Sequence, residues 1–351
     1  MTRALRSLAC IALLALVAAA CARPGSSAAG STTPLDLYGA NPSLAEVQAL
    51  LGDSNWWPGP PSFGVRPLDV TSVPMAQKFH VTSRFAHIGT AEMLEIEYAL
   101  WNSASAATTS LTAIQTAFGT SVTGPKVGDQ VLYYGQSTQG AAPFGTLTFV
   151  RIGASVTTII LTQKDAYPAV AKLGKIASKV TSRLRDVLNG KVHASPLPTS
   201  DAAMLPPPGP DLTLLGSMKL PVEAFIVMSG SASPDALAGI LHAAGADTIV
   251  FGDYALDNDT RMEVRAGLFN FGSSQQASGW IDALRGSSIP DQSGIATFYD
   301  NGSGQYFSLF TAGTKAAMLV CRSAASGEAA SRACESPLSR VAPAWQLSLT
   351  G

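Results

Sequence analysis

The chain has 351 residues, 46% of them hydrophobic and 13% charged, with 32 Gly, 22 Pro and a formal net charge of −1. That balance excludes a disordered chain, which needs low hydrophobicity and high charge, and it offers no bulk attraction to nucleic acid, so no nucleic-acid partner is expected. The length suits two domains that each bury a core, and four Cys exclude a dense disulfide scaffold.

Arg3 and Arg6 precede an unbroken run of apolar and small residues from Leu8 to Ala20. The run is too short to span a hydrocarbon core, which needs about 20 residues. Residues 1–20 therefore read as a secretory signal peptide ending in small side chains. The run Val17-Ala18-Ala19-Ala20-Cys21 resembles the lipobox of bacterial lipoproteins, with the branched Val17 one place further out than usual. The resemblance implies that Cys21 carries a diacylglyceryl group, that the peptide is cut just before it, and that the new amine is often acylated. An ordinary signal cut after Ala18-Ala19-Ala20, with Cys21 incidental, is the alternative. Two or three acyl chains would hold the protein stably on the outside of a bacterial membrane, either the cell membrane or the outer membrane. Residues 21–40 read as the lipidated Cys and a flexible tether, because Ala22 to Pro34 is rich in Ser, Gly, Ala and Thr without an apolar pattern. Losing Arg3 and Arg6 leaves 21 of 23 basic residues against 24 acidic ones, a net near −3.

Residues 41–194 read as a first α+β domain. Asn41-Pro42-Ser43 opens a helix through Leu44, Val47, Leu50 and Leu51, and Gly52 closes it. Residues 54–78 read as an insertion. Its adjacent Trp56 and Trp57, on a stiff loop before Pro58-Gly59-Pro60-Pro61, are candidate contacts for a glycan or peptide, or a plug at the end of a core. Leu94, Ile96, Tyr98 and Leu100 alternate with Glu95 and Glu97, which predicts a strand whose second face is either solvated or covered by a helix. Leu111, Ile114 and Phe118 mark a helix, and Val170 to Leu184 a longer one ending at Asn189-Gly190. Beside the apolar stripe of that second helix lie Lys172, Lys175, Lys179 and Arg183, spaced by three, four and four. They are candidate contacts for anionic headgroups or wall polymers, or simply a solvated face.

Residues 195–215, dense in Pro, read as a semi-rigid linker. Residues 216–351 read as a second α+β domain that repeats the first. Ser233-Pro234-Asp235 opens a helix through Leu237, Ile240, Leu241 and Ala244, ending at Gly245. Met262, Val264, Ala266 and Leu268 then alternate with Arg261, Glu263 and Arg265, a pattern that again predicts a solvated charged face. A shift of 168 residues lays Glu95 on Glu263, Leu100 on Leu268, Asn102 on Asn270, Ser105 on Ser273 and Ser110 on Ser278. Asp300-Asn301-Gly302 predicts a hairpin turn. Its closing strand, Tyr306 to Cys321, matches Leu147 to Leu161 at an offset of 160, with Gly153 on Gly313. The expectation is an internal duplication: two similar α+β domains, each an antiparallel sheet with packed helices. Chance likeness of two α+β domains is the alternative. Cys10 falls in the signal, so Cys321 and Cys334 form the one pair left for a disulfide, expected outside the cytosol.

Spacings that carry chemistry are absent. The sequence has no His-Glu-x-x-His, no Cys-x-x-Cys, no Gly-x-Ser-x-Gly and no Gly-x-x-x-x-Gly-Lys. Asp253, Asp257 and Asp259 lack the spacing of a calcium loop. No catalytic residue, metal or cofactor is therefore assigned. These features point to a lipid-anchored extracytoplasmic envelope protein, a non-catalytic binding or structural module whose partner is an envelope protein or a glycan. An envelope hydrolase with a site built from scattered residues, or a sensory or accessory module of an envelope complex, are the alternatives.

Overall fold

The computed structural model describes residues 32–64, 77–138, 141–192, 197, 199–209, 212–229, 233–256, 259–301, 304–323 and 328–350. The signal peptide and Cys21 lie outside the described residues. The folded body starts earlier than position 41. Helix α1, Pro34–Tyr38, is fixed by a capping box in which Thr33 accepts from the Asp36 N–H and Asp36 reaches back to the Thr33 N–H. Leu37 and Ala40 are buried in the first core. The last residues assigned to a tether are thus held by burial, and the pattern Thr-x-x-Asp is the signal that marks them.

Helix α2, Leu44–Leu51, carries the same device at Ser43 and Glu46. The first sheet comprises β1 (Trp56–Pro58), β2 (Ser62–Gly64), β3 (Gln77–His87), β4 (Met93–Trp101), β5 (Gln130–Thr138), β6 (Ala141–Ile152) and β7 (Ser155–Gln163), in the order β1-β3-β4-β7-β6-β5, with β2 also on β3. Helices α3 (Ala104–Phe118) and α4 (Val170–Leu188) cover its two faces. On β4 the predicted alternation is a division between two cores. Leu94, Ile96, Tyr98 and Leu100 pack with Leu173, Ile176 and Val180 of α4, while Ala99 and Trp101 pack with Leu111 and Ile114 of α3. Each Leu, Ile or Val among them contributes about 1.5–3 kcal/mol when fully buried.

The second sheet comprises β8 (Leu212–Pro221), β9 (Thr248–Leu256), β10 (Asp259–Asn270), β11 (Ala296–Asp300), β12 (Gln305–Ala312) and β13 (Lys315–Ser323), in the order β11-β12-β13-β10-β9-β8. Helices α5 (Val222–Met228), α6 (Pro234–Ala243) and α7 (Ser274–Arg285) lie on one face, and the 23-residue α8 (Glu328–Thr350) lies on the other. Strand pairings in both sheets are antiparallel. The chain is therefore α+β with two antiparallel sheets and packed helices.

Setting β3 to β7 against β9 to β13, the two sheets share one strand order: first, second, fifth, fourth, third. Each has a helix between its second and third strands. Each has a hairpin between its fourth and fifth strands that turns at a glycine with positive φ, 54° at Gly153 and 60° at Gly313. The segment from Tyr306 to Cys321, expected as one closing strand, is thus two strands, because only the left-handed backbone at Gly313 lets it reverse so tightly.

The Pro-rich stretch is likewise less of a linker than its composition suggests. Leu205 is buried, the Met204 carbonyl accepts from Trp345 Nε1 at 3.0 Å, the Pro206 carbonyl accepts from the Tyr254 hydroxyl at 2.9 Å, and β8 begins at Leu212. Proline lacks a backbone donor, but its carbonyl is available, and here the second domain uses it. Helix α8 is tied to β13 by the Cys321–Cys334 disulfide, with Cα atoms 5.7 Å apart. Its buried Trp345 meets Phe310 edge-on at 5.4 Å. No described helix is long and apolar enough to cross a membrane.

Candidate functional site

The face of the second sheet opposite α8 is only partly filled. Helices α5, α6 and α7 stand along it as walls and enclose a cavity of about 1000 Å³. Phe251, Phe269, Met318 and Val320 form its floor, and Phe225, Leu241 and Trp280 stand beside them. The aromatic rings brace one another: Phe225 and Trp280 lie 5.6 and 5.7 Å from Phe269. At the mouth, Ile240 and Leu284 are 60% and 41% exposed. Water inside such a lining finds few partners, so the cavity favours an apolar occupant.

Polarity changes along the strands. From the end of β10 next to α7, the cavity face of that strand carries Phe269, Gly267, Arg265 and Glu263 in turn. On β13, Met318 and Val320 give way to Arg322, which lies opposite Glu263. On β9, Phe251 gives way to Asp253, opposite Arg265. One end of the cavity is therefore aromatic and the other ionic. Pro60 and Arg84 of the first domain also line the cavity, and Glu95, whose charge acts on Arg265, takes the Arg84 Nε–H at 2.6 Å.

The ionic end is also the junction of the two domains. The Arg265 guanidinium donates to Glu263 from Nε and Nη2 at 3.1 and 2.8 Å and lies 4.0 Å from Asp253. From the first domain, the Ser62 hydroxyl donates to Glu263 and the Phe63 N–H donates to Asp253 at 3.3 Å. Asp253 and Glu263 are buried and Arg265 nearly so. Burial, then the Glu263 charge, pushes the Asp253 carboxyl well above its usual range, against the pull of Arg265. Burial alone would lower the Arg265 pKa, but the charges of Glu263 and Asp253 raise it further. The solvated charged face expected for β4 and β10 is, on β10, an inter-domain ion cluster. Sequence alternation shows that charges share a face; it does not show what packs against that face. At the same seam Gly59 approaches α5 so closely that a Cβ there would sit 2.5 Å from the Met228 sulfur.

The residues singled out in the sequence scatter. Trp56 is buried and meets the His87 ring edge-on at 5.3 Å, whereas Trp57, next along the same short strand, is 37% exposed. The pair forms an edge strand on β3, so one indole faces the core and its neighbour faces solvent. Lys179 and Arg183 are both bound to Glu46 of α2 at 2.8 Å. Burial would raise the Glu46 pKa, but the bonds from Lys179 and the Ser43 N–H and the charges of Arg183 and Lys179 outweigh it and hold the carboxyl down to about 2. Of that basic row, Lys175 is exposed and Lys172 half-buried. None of these residues lines the cavity. His242 bridges Glu223 and Asp247 at 2.7 Å each. Asp257 and the Asp259 side chain lie outside the described residues, and among the described residues no three His, Cys, Asp or Glu gather as a metal site. Arg84, Arg265 and Arg322 went unnoticed as a group because they sit on three strands far apart in the chain.

No protein-family model matches the chain, and no curated protein matches it. Among solved structures, it is similar to the extracellular domain of PknH from Mycobacterium tuberculosis, at 12% identity and a TM-score of 0.36, over 44% of this chain and 97% of that one. It is also similar to DynU16, a putative protein of the dynemicin biosynthetic locus, at 13% identity and a TM-score of 0.15, over 91% of each chain. Both superpositions are too loose to transfer fold or function.

Proposed function

We propose that this chain is an extracytoplasmic, lipid-anchored binding protein that holds an apolar small molecule between its second sheet and helices α5 to α7. The observation that carries the reading is the cavity of about 1000 Å³ with its braced aromatic lining, at the upper end of the size of small-molecule sites. Among the described residues, the charged side chains lining the cavity are Arg84, Arg265 and Arg322, two of them held by carboxylates, a lining that supports ligand binding rather than hydrolysis. A duplicated α+β unit accounts for both the shared strand order and the 168-residue repeat. The neutral dye N-phenyl-1-naphthylamine, whose fluorescence rises in apolar surroundings, tests the pocket in the full chain carrying Cys21→Ser. Enhancement is expected, and Gly279→Phe should abolish it with an unchanged circular dichroism spectrum, since a Cβ there meets nothing within 4 Å. Absence of enhancement in the parent chain refutes the reading. The anchor has its own test: Cys21→Ser should move the protein from membranes to the medium and end incorporation of labelled fatty acid, and retention on membranes would refute it.

A further inference from the structure

We propose that the ionic end of the cavity receives a carboxylate, so that the ligand is a fatty acid with its chain among Phe251, Phe269 and Trp280 and its head at Arg322 and Arg265. This rests on the binding reading above and names the chemistry of the occupant. The first support is the direction of the lining. From Arg322 through Val320 and Met318 to Ala316, the same-face positions of β13 run from cation to hydrocarbon over roughly 20 Å of strand. A single-chain amphiphile matches that gradient. An apolar ring system would leave the ionic end unmatched.

The second support is charge. Arg84 is held by Glu95, and Arg265 is held by Glu263. Arg322 lines the cavity, half-buried, and no hydrogen bond or ion pair joins it to any described residue. Among the described residues, the charged side chains that line the cavity are these three guanidiniums, of which Arg84 and Arg265 are already matched by Glu95 and Glu263. The excess is one positive charge, which a single carboxylate neutralises. A phosphate monoester, with a charge near −2 at neutral pH, would overshoot it. A half-buried cation beside hydrocarbon is poorly solvated, so an anion that follows its own apolar chain into the site gains a charge-assisted bond without stripping the protein of an existing one. Because Arg84 lines the same cavity from the first domain, the head site lies at the seam of the two domains.

Titration calorimetry on the full chain carrying Cys21→Ser, with dodecanoate, 1-dodecanol and dodecyl phosphate below their aggregation limits, decides the matter. Dodecanoate should bind about tenfold to a hundredfold tighter than dodecanol, the strength of one hydrogen bond to a charged group. Arg322→Gln should remove that preference by weakening dodecanoate far more than dodecanol, and Arg322→Lys should restore part of it. Shortening the chain should weaken both ligands about fourfold per methylene. Equal binding of acid and alcohol, preference for the phosphate, or an Arg322→Gln variant that weakens both ligands alike would overturn the head assignment while the pocket reading stands. If no amphiphile binds a chain with native circular dichroism, the pocket reading falls and takes this inference with it.

Discussion

Replacing Arg265 with Met keeps most of the apolar stem and removes the charge that serves two buried carboxylates. In the native protein the guanidinium lies 2.8 Å from Glu263 and 4.0 Å from Asp253, with side-chain exposures of 17%, 6% and 1% for Arg265, Glu263 and Asp253. At an effective dielectric of about 20 the nearer pair attracts by about 6 kcal/mol before desolvation is subtracted. The loss on substitution is smaller, because a stranded carboxylate can take up a proton instead of remaining charged. At pH 7 that proton costs a Glu of ordinary pKa near 4.3 about 3.7 kcal/mol, at about 1.36 kcal/mol per pH unit. The variant should therefore be destabilised by about 3–4 kcal/mol at pH 7. The sign with pH follows. The folded variant holds a proton that the unfolded chain releases, so its stability is fully present below the unfolded pKa and falls as pH rises above it. At pH 5 the loss should shrink to about 1 kcal/mol. Urea unfolding followed by tryptophan fluorescence at the two pH values measures both, and adding Glu263→Gln should recover most of the loss at pH 7. A loss below about 1 kcal/mol at pH 7, or an equal loss at both pH values, would show that the cluster does not behave as a buried ion pair.

Two further outcomes are expected. The double substitution Cys321→Ser with Cys334→Ser opens a link of sequence separation 13 and should cost about 3 kcal/mol in urea under non-reducing conditions; an unchanged midpoint would show that packing alone holds α8. Glu46→Gln should cost at most about 1 kcal/mol at pH 7, because Lys179 and Arg183 are 42% and 36% exposed and solvent screens them. Since the Glu46 pKa is depressed to about 2, its contribution is present above the ordinary carboxylate range and fades as pH falls from about 4.5 to 2. The gap between parent and variant should close over that window, and a constant gap would remove Glu46 as its source.

Local devices were the readable part of this molecule. Ser43, Gly52 and the alternation of Leu94 to Leu100 are set by neighbours in the chain, and they fall where the spacing puts them. Cys321 and Cys334 could be paired by elimination and are bonded. Short strands were harder. Trp56–Pro58 has too few residues to show a period, and it is a strand only because β3 lies beside it. Helix α5 went unread because its seven residues carry no side-chain cap. The cavity left no sequence trace, since a void is defined by what several elements fail to fill. The apolar residues that line it have the same periodicity as residues that fill a core. Arg322 was the available clue, a cation following the apolar run from Ala316 to Cys321 on a buried strand, and its meaning depends on the empty volume beside it.

Strands β10 and β13 lie between a helix and a hollow. On one side they rest on Trp345, Leu338 and the clipped first turns of α8; on the other they face an open cavity. The cavity cannot support its own floor, so the packing that holds those strands in place comes from behind. That backing is α8, which follows every wall of the container along the chain and so leaves the ribosome after them. A polypeptide ending before residue 328 would have all the strands and walls of the vessel but nothing to keep the floor from sagging into it.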